Sequence, residues 1–110
     1  MTPEDFVQCL RRTKQDLLGI HFDPSSESAA ITRLSALGFS ATQLSAVRDV
    51  LDSVLTDAFY TVLLGLDGCA SLGGVQQSYH IRDEHGAEVC SGDGTIEALA
   101  YDYFHGNRNA

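Results

Sequence analysis

The amino-acid sequence predicts an α+β fold in one domain over residues 1–110, with three N-terminal helices, a β-hairpin and a C-terminal helix. Three observations indicate this fold class. A capping-box motif opens a long segment with helical apolar spacing, alternating side chains flank a tight turn, and a short amphipathic pattern follows a second glycine-rich turn. At 110 residues and 44% hydrophobic side chains, the chain is long enough to bury a core.

The first helix is predicted to begin at Thr2-Pro3, because threonine suits an N-cap and proline suits the first helical position. Apolar residues at helical spacing give this helix one buried face. Its basic residues Arg11, Arg12 and Lys14 are expected to face water. The helix should end near residues 19–21, since the residue before a proline disfavours helix and Asp23 precedes Pro24.

A short second helix is expected over residues 28–37, with Gly38 in the left-handed position after its end. The third helix, about residues 40–66, begins at a capping box formed by Ser40 and Gln43. Its apolar positions form a stripe that is expected to face the core: Leu44, Val47, Leu51, Val54, Leu55, Ala58, Phe59, Val62 and Leu66.

A β-hairpin is predicted at about residues 75–91, with a type I turn at residues 83–86 and glycine in its left-handed position. The expected register pairs Arg82 with Glu88, Ile81 with Val89, and His80 with Cys90. The C-terminal helix is predicted at about residues 96–105, where apolar residues recur at spacings of three and four. Asp93 and Thr95 are candidates for its N-cap.

The net charge of −8 lies entirely in residues 49–110, because residues 1–48 carry five acidic and five basic side chains. Such a surface repels nucleic acid and anionic membranes and attracts basic partners. We therefore expect a basic protein partner, with no nucleic acid and no membrane, and we keep a homodimer as an alternative. The acidic residues that are expected to bind the partner are Asp49, Asp52, Asp57, Asp83, Glu84 and Glu88.

Residues 68–74 have the glycine spacing of a phosphate loop, but the Lys-Ser/Thr pair that such a loop requires is replaced by Gly74 and Val75. His80, His85 and Cys90 lack the convergent spacing of a zinc site. We therefore expect no catalytic residue, metal or cofactor, and hence no enzyme.

The cysteines are odd in number, and residues 1–20 contain no apolar core of signal-peptide length. Reduced thiols and a cytoplasmic location are therefore expected.

The second half of the chain also contains a series of short sequence motifs that resemble those of one group of small proteins. It includes Phe59-Tyr60, Leu66-Asp67-Gly68, Ser71-Leu72-Gly73-Gly74, Tyr79, Asp83-Glu84 with Gly86, and Ala100-Tyr101-Asp102-Tyr103-Phe104. Over about residues 55–105 the chain resembles small uncharacterised bacterial proteins of the immunity type. The resemblance implies a bacterial or phage origin and a binding role.

The leading hypothesis is therefore an immunity-type inhibitor that neutralises a cognate toxin through its acidic surface. The alternatives are a phage-encoded inhibitor that mimics nucleic acid, and a small regulatory or accessory domain that binds a ligand near residues 68–74.

Overall fold

The computed structural model describes residues 1–106, so the basic residue Arg108 lies outside the described part of the chain. The order of elements confirms the α+β prediction, with three helices, an antiparallel hairpin and a final helix. The helices and strands are α1 (Pro3–His21), a 3-10 turn (Pro24–Ser26), α2 (Ala29–Ala36), α3 (Ala41–Leu66), β1 (Ile81–Arg82), β2 (Glu88–Cys90) and α4 (Thr95–Phe104).

The predicted helix starts are confirmed by the hydrogen bonds of their caps. Thr2 caps α1 and forms a capping box with Asp5. Ser40 and Gln43 form the capping box of α3, with Ser40 N donating to Gln43 Oε1 at 2.9 Å. Gly38 has a φ of 72°, as expected for the left-handed residue after α2. Local chemistry therefore determines where these helices begin and end.

The core lies where α1, the second half of α3, α4 and strand β2 meet. Its buried members are Val7, Leu63, Cys90, Ile96, Ala100, Tyr103 and Phe104. The ring of Phe59 stacks against Phe104 with a centroid separation of 6.3 Å. At 26 residues, α3 is about 39 Å long. Its first half therefore extends beyond this core, and Leu37, which ends α2, is 67% exposed.

The N-terminus of α4 is capped by a residue that is distant in the sequence. Its N-cap residue is Gly94, whose missing side chain provides no cap. The buried carboxylate of Asp67, directly after α3, instead accepts from the amides of Gly94 at 3.2 Å and Glu97 at 2.9 Å. Asp93 Oδ1 accepts from Thr95 N at 3.0 Å. Asp93 thus does cap an amide of α4, but the N-cap position itself is occupied by Gly94 and not by Asp93 or Thr95.

The hairpin is shorter than predicted and has a different register. Arg82 pairs with Glu88 as expected, but Ile81 pairs with Cys90 instead of Val89, because the strand is irregular between these pairs. The extra residue on β2 places two consecutive side chains, Val89 and Cys90, in buried positions. His80 does not pair with Cys90.

The predicted strand over residues 75–80 is wrong because that segment packs against the end of α3. Tyr79 N donates to Leu66 O at 3.0 Å. A Cβ at Gly92 would overlap the side chain of Ser78, and one at Gly68 would press against the same residue. Ser78 therefore lies between two glycines, and this close packing replaces further strand pairing.

Candidate functional site

The inner face of α3 contains an ion pair that hydropathy does not reveal. Lys14 of α1 is 2% exposed, so the expectation that it faces water was wrong. Its Nζ lies 2.9 Å from Asp52 Oδ1 and 2.9 Å from Thr56 Oγ1, both on α3. A buried ammonium is costly unless it is paired, and these oxygens supply the partners. The predicted partner-binding residue Asp52 thus already holds α1 against α3.

The other two predicted acids of α3 are exposed. Asp49 and Asp57 lie, with Ser53 between them, on one row of residues four apart. The structure therefore separates the three predicted acids of α3 into one that faces α1 and two that face solvent.

The acids at the hairpin tip have contacts within the tip or close to it. Asp83 Oδ1 accepts from the amides of His85 and Ala87 at 2.9 Å each, and Oδ2 lies 2.7 Å from the amino nitrogen of Met1. These contacts lower the pKa of Asp83, with the Met1 amino group as the largest cause. Glu88 Oε1 lies 2.7 Å from His80 Nδ1. Glu84, the neighbour of His85, is 86% exposed.

A row of apolar side chains lies exposed on the outer face of α3. Val50, Val54, Ala58 and Val62 are four residues apart, and the three valines are 62%, 54% and 46% exposed. We call these four residues the outer row. Residues spaced by four form a continuous ridge on a helix. The expectation that Val54 and Val62 face the core was therefore wrong, because the core-facing side of α3 carries Phe59 and Leu63 instead.

The outer row ends at an open apolar depression of about 200 Å³ between α1 and α3. Its lining consists of Leu10, Ala58, Phe59 and Val62. The row with Asp49, Ser53 and Asp57 runs directly beside the outer row. An apolar ridge bordered by carboxylates is suited to a protein partner that presents apolar and basic side chains.

Sequence reasoning missed the outer row because it placed Val54, Ala58 and Val62 in the core-facing stripe and did not consider Val50. A usable signal was present. The helix carries two adjacent apolar rows, one at residues 50, 54, 58 and 62 and another at residues 51, 55, 59 and 63. A single core contact cannot cover both rows of a helix that lies at the edge of the core.

The glycine connector at residues 68–74 packs against neighbouring parts of its own chain. Leu72 fills the space that a Cβ would need at Gly65, and Gln76 Nε2 donates to Gly68 O at 3.0 Å. Close packing therefore accounts for Gly65 and Gly68, whereas Gly73 and Gly74 have open space beside them and adopt positive φ angles of 60° and 81°.

The thiols of Cys69 and Cys90 are held in the protonated form. Cys69 Sγ donates to Glu97 Oε2 at 2.9 Å, and this hydrogen bond is the largest cause that raises the pKa of Cys69 to about 11. Burial raises the pKa of Cys90, whose Sγ lies 3.4 Å from both Leu66 O and Tyr79 O. Thiolates are the nucleophilic form of cysteine, so neither environment activates its thiol. Within residues 1–106, no group of three or more His, Cys, Asp or Glu side chains is arranged to hold a metal ion.

Comparisons of the chain with protein-family models, with curated proteins and with solved structures found no match. In the part of the chain that the structure describes, no helix combines the length and the apolar character needed to cross a membrane.

Proposed function

We propose that this chain is a non-enzymatic binding protein of the immunity type, which acts in the cytoplasm and neutralises a basic toxin. The partner would dock on the outer row of α3 and on the acids beside it. The observation that carries this proposal is the exposure of Val50, Val54 and Val62 on one continuous ridge. Contiguous apolar surface on a folded domain is a common mark of a protein interface.

The charges around the outer row support a basic partner over a second copy of this chain. In an antiparallel pair of α3 helices centred on the row, the two Asp57 side chains would lie on the same edge, within about one helical turn of each other. Two carboxylates at that spacing repel, and two chains of net charge −8 also repel at long range. A lysine or arginine of a basic partner would instead be attracted to Asp57 and Asp49. The free thiols of Cys9, Cys69 and Cys90 support a reducing compartment.

The test compares capture of a partner by matched valine variants. Val54 and Val75 are 54% and 55% exposed, but Val75 lies outside α3, in a bridge with Leu72 at the end of the glycine connector. We expect the unaltered protein and Val75→Gln to capture the same basic protein from the source cell, identified by mass spectrometry. Val54→Gln should reduce its affinity at least about tenfold, which is typical of a residue inside an interface. Equal affinity of the two variants, or an acidic captured protein, would overturn the proposal.

A charge-reversal pair tests which predicted acidic surface binds the partner. Asp57→Lys lies beside the outer row, whereas Glu84→Lys lies at the exposed hairpin tip. We expect Asp57→Lys to slow association and weaken binding, and Glu84→Lys to have little effect. If Glu84→Lys weakened binding more than Asp57→Lys, the interface would lie at the hairpin, and the proposed interface on α3 would be wrong.

Sedimentation of the isolated protein tests for self-association, and we expect a monomer. A dimer that Val54→Gln dissociates would instead show that the outer row is a contact between two copies of this chain.

A further inference from the structure

A second surface feature lies on the side of α4 that faces away from the core, apart from the outer row of α3. It is a cavity of about 400 Å³ between α4 and the second half of α3. Its lining consists of Tyr60, Gly94, Glu97, Ala98, Tyr101 and Asp102. The cavity thus combines two aromatic rings with two carboxyl groups, and its lining contains no lysine or arginine.

The two rings have different supports. Tyr60 is half-buried, and its ring meets that of His105 edge to face with a centroid separation of 4.6 Å. Tyr101 is 56% exposed, which is unusual for so large a side chain, and its ring centroid lies 6.4 Å from that of His105. Tyr60, the more buried of the two, therefore forms the more enclosed wall of the cavity, and Tyr101 presents an open aromatic surface.

The titratable groups at the cavity show a local negative field. Burial and then the nearby Glu97 carboxylate raise the pKa of Tyr60. Glu97 is also the main cause of the raised pKa of Cys69, at the edge of the same region. Burial disfavours charge of either sign, so only the Glu97 contribution to these shifts reflects a negative charge at the cavity, and that charge attracts a cation.

We propose that this cavity binds an organic cation, an ammonium or guanidinium group, against the rings of Tyr60 and Tyr101 and beside the carboxylates of Glu97 and Asp102. Aromatic faces attract cations through the ring quadrupole, and carboxylates accept charge-assisted hydrogen bonds from them. The cation comes either from a small polyamine or from a basic side chain of a protein. This site goes beyond the proposed function, because its lining residues are different from those of the proposed interface.

The test is a titration of the isotope-labelled protein, followed by the amide resonances of Ala98, Tyr101 and Asp102. The probes are choline and its neutral isostere 3,3-dimethylbutan-1-ol, which differ in charge but hardly in shape. We expect choline to give saturable shifts at these amides, with at least about tenfold weaker binding of the neutral alcohol. Equal binding of the two probes would overturn the cation site. So would shifts that spread over all acidic residues and disappear in moderate salt, since these mark counterion accumulation only.

Three variants separate the contributions of the cavity. Tyr101→Leu keeps an apolar side chain but removes the ring, and we expect choline binding to weaken about three- to tenfold. Tyr101→Phe should restore it to within about twofold. Glu97→Gln should weaken binding about threefold, while Asp49→Asn, outside the cavity, should leave it unchanged. Unaltered binding in Tyr101→Leu would overturn the proposal.

Titration with spermidine and with a Gly-Arg-Gly peptide then identifies the source of the cation. If spermidine binds more tightly, the natural ligand is a free polyamine. If the peptide binds more tightly, the ligand is a basic side chain of a protein. Either ranking supports the cation site, and failure of both cations to bind would overturn it. Because the readout requires no toxin, the result is separate from the test of the α3 interface.

Discussion

The inner and outer faces of α3 both carry apolar side chains, but their surroundings differ. The inner face packs against α1 and α4 through Phe59 and Leu63. That same face also holds Asp52 and Thr56, which bind the buried ammonium of Lys14. The outer face presents Val50, Val54 and Val62 to solvent. Apolar packing and one buried ion pair thus both hold the inner face, and the apolar surface left outside is available to a partner.

The largest expected change in the free energy of unfolding is at Leu63 on the inner face of α3, and its neighbour Val62 on the outer face is the comparison. Leu63 is fully buried, so Leu63→Ala should lower the free energy of unfolding by about 3 kcal/mol through lost burial and the cavity that remains. Val62→Ala should change it by no more than about 0.5 kcal/mol, because nearly half of Val62 already contacts water. Urea unfolding followed by circular dichroism measures both. Equal losses at the two positions would mean that the outer face is also packed in the free protein.

A smaller effect is expected at the ion pair between Lys14 and Asp52. Asp52→Asn keeps an acceptor oxygen but removes the negative charge that pairs with the buried Lys14 ammonium, at a cost of about 1–3 kcal/mol. The lower part of this range is expected because the Asp52 side chain is 44% exposed and partly screened by water. Asp49→Asn, an exposed carboxamide on the same helix, is the matched control and should cost less than about 0.5 kcal/mol.

A second substitution shows whether the cost at Asp52 comes from an unpaired buried charge. Lys14→Met keeps the apolar stem and removes the ammonium, so the double variant with Asp52→Asn should recover most of the lost stability. Losses that simply add in the double variant would show that Lys14 and Asp52 are not coupled.

The helix caps and this ion pair show which features of the fold could be predicted from the sequence and which could not. Helix starts at Thr2 and Ser40 follow from side-chain caps within three residues, so local sequence was sufficient. The inner face of α3 also contacts Lys14, which lies 38 positions before Asp52 in the chain. Periodicity assigns charged residues to the solvent face and cannot reveal a charge that is buried because a distant partner meets it.

The hairpin also has one feature that local sequence predicts, its turn, and one that it does not, its register. Its turn at residues 83–86 was predictable, since Gly86 adopts the left-handed conformation with a φ of 85° that such turns require. Its register was not, because the irregularity beside Val89 brings Cys90 to the carbonyls of Leu66 and Tyr79. Within the predicted acidic site, Asp49 and Asp57 are exposed to solvent, as predicted from the sequence. That the apolar row beside Asp57 stays exposed was visible only in the tertiary structure.

The smallest expected effect is on the outer face itself, and it is the one that connects stability to function. Val54→Gln replaces an exposed valine by a residue of good helix propensity, so the free energy of unfolding should stay within about 0.5 kcal/mol of its original value. A face that contributes so little to folding but exposes a continuous apolar row is available for binding. Urea unfolding of Val54→Gln and Val75→Gln, the pair used for partner capture, measures this. If Val54→Gln lost more than about 1 kcal/mol while Val75→Gln did not, its reduced binding would reflect a weakened fold, and the outer row would be part of the core.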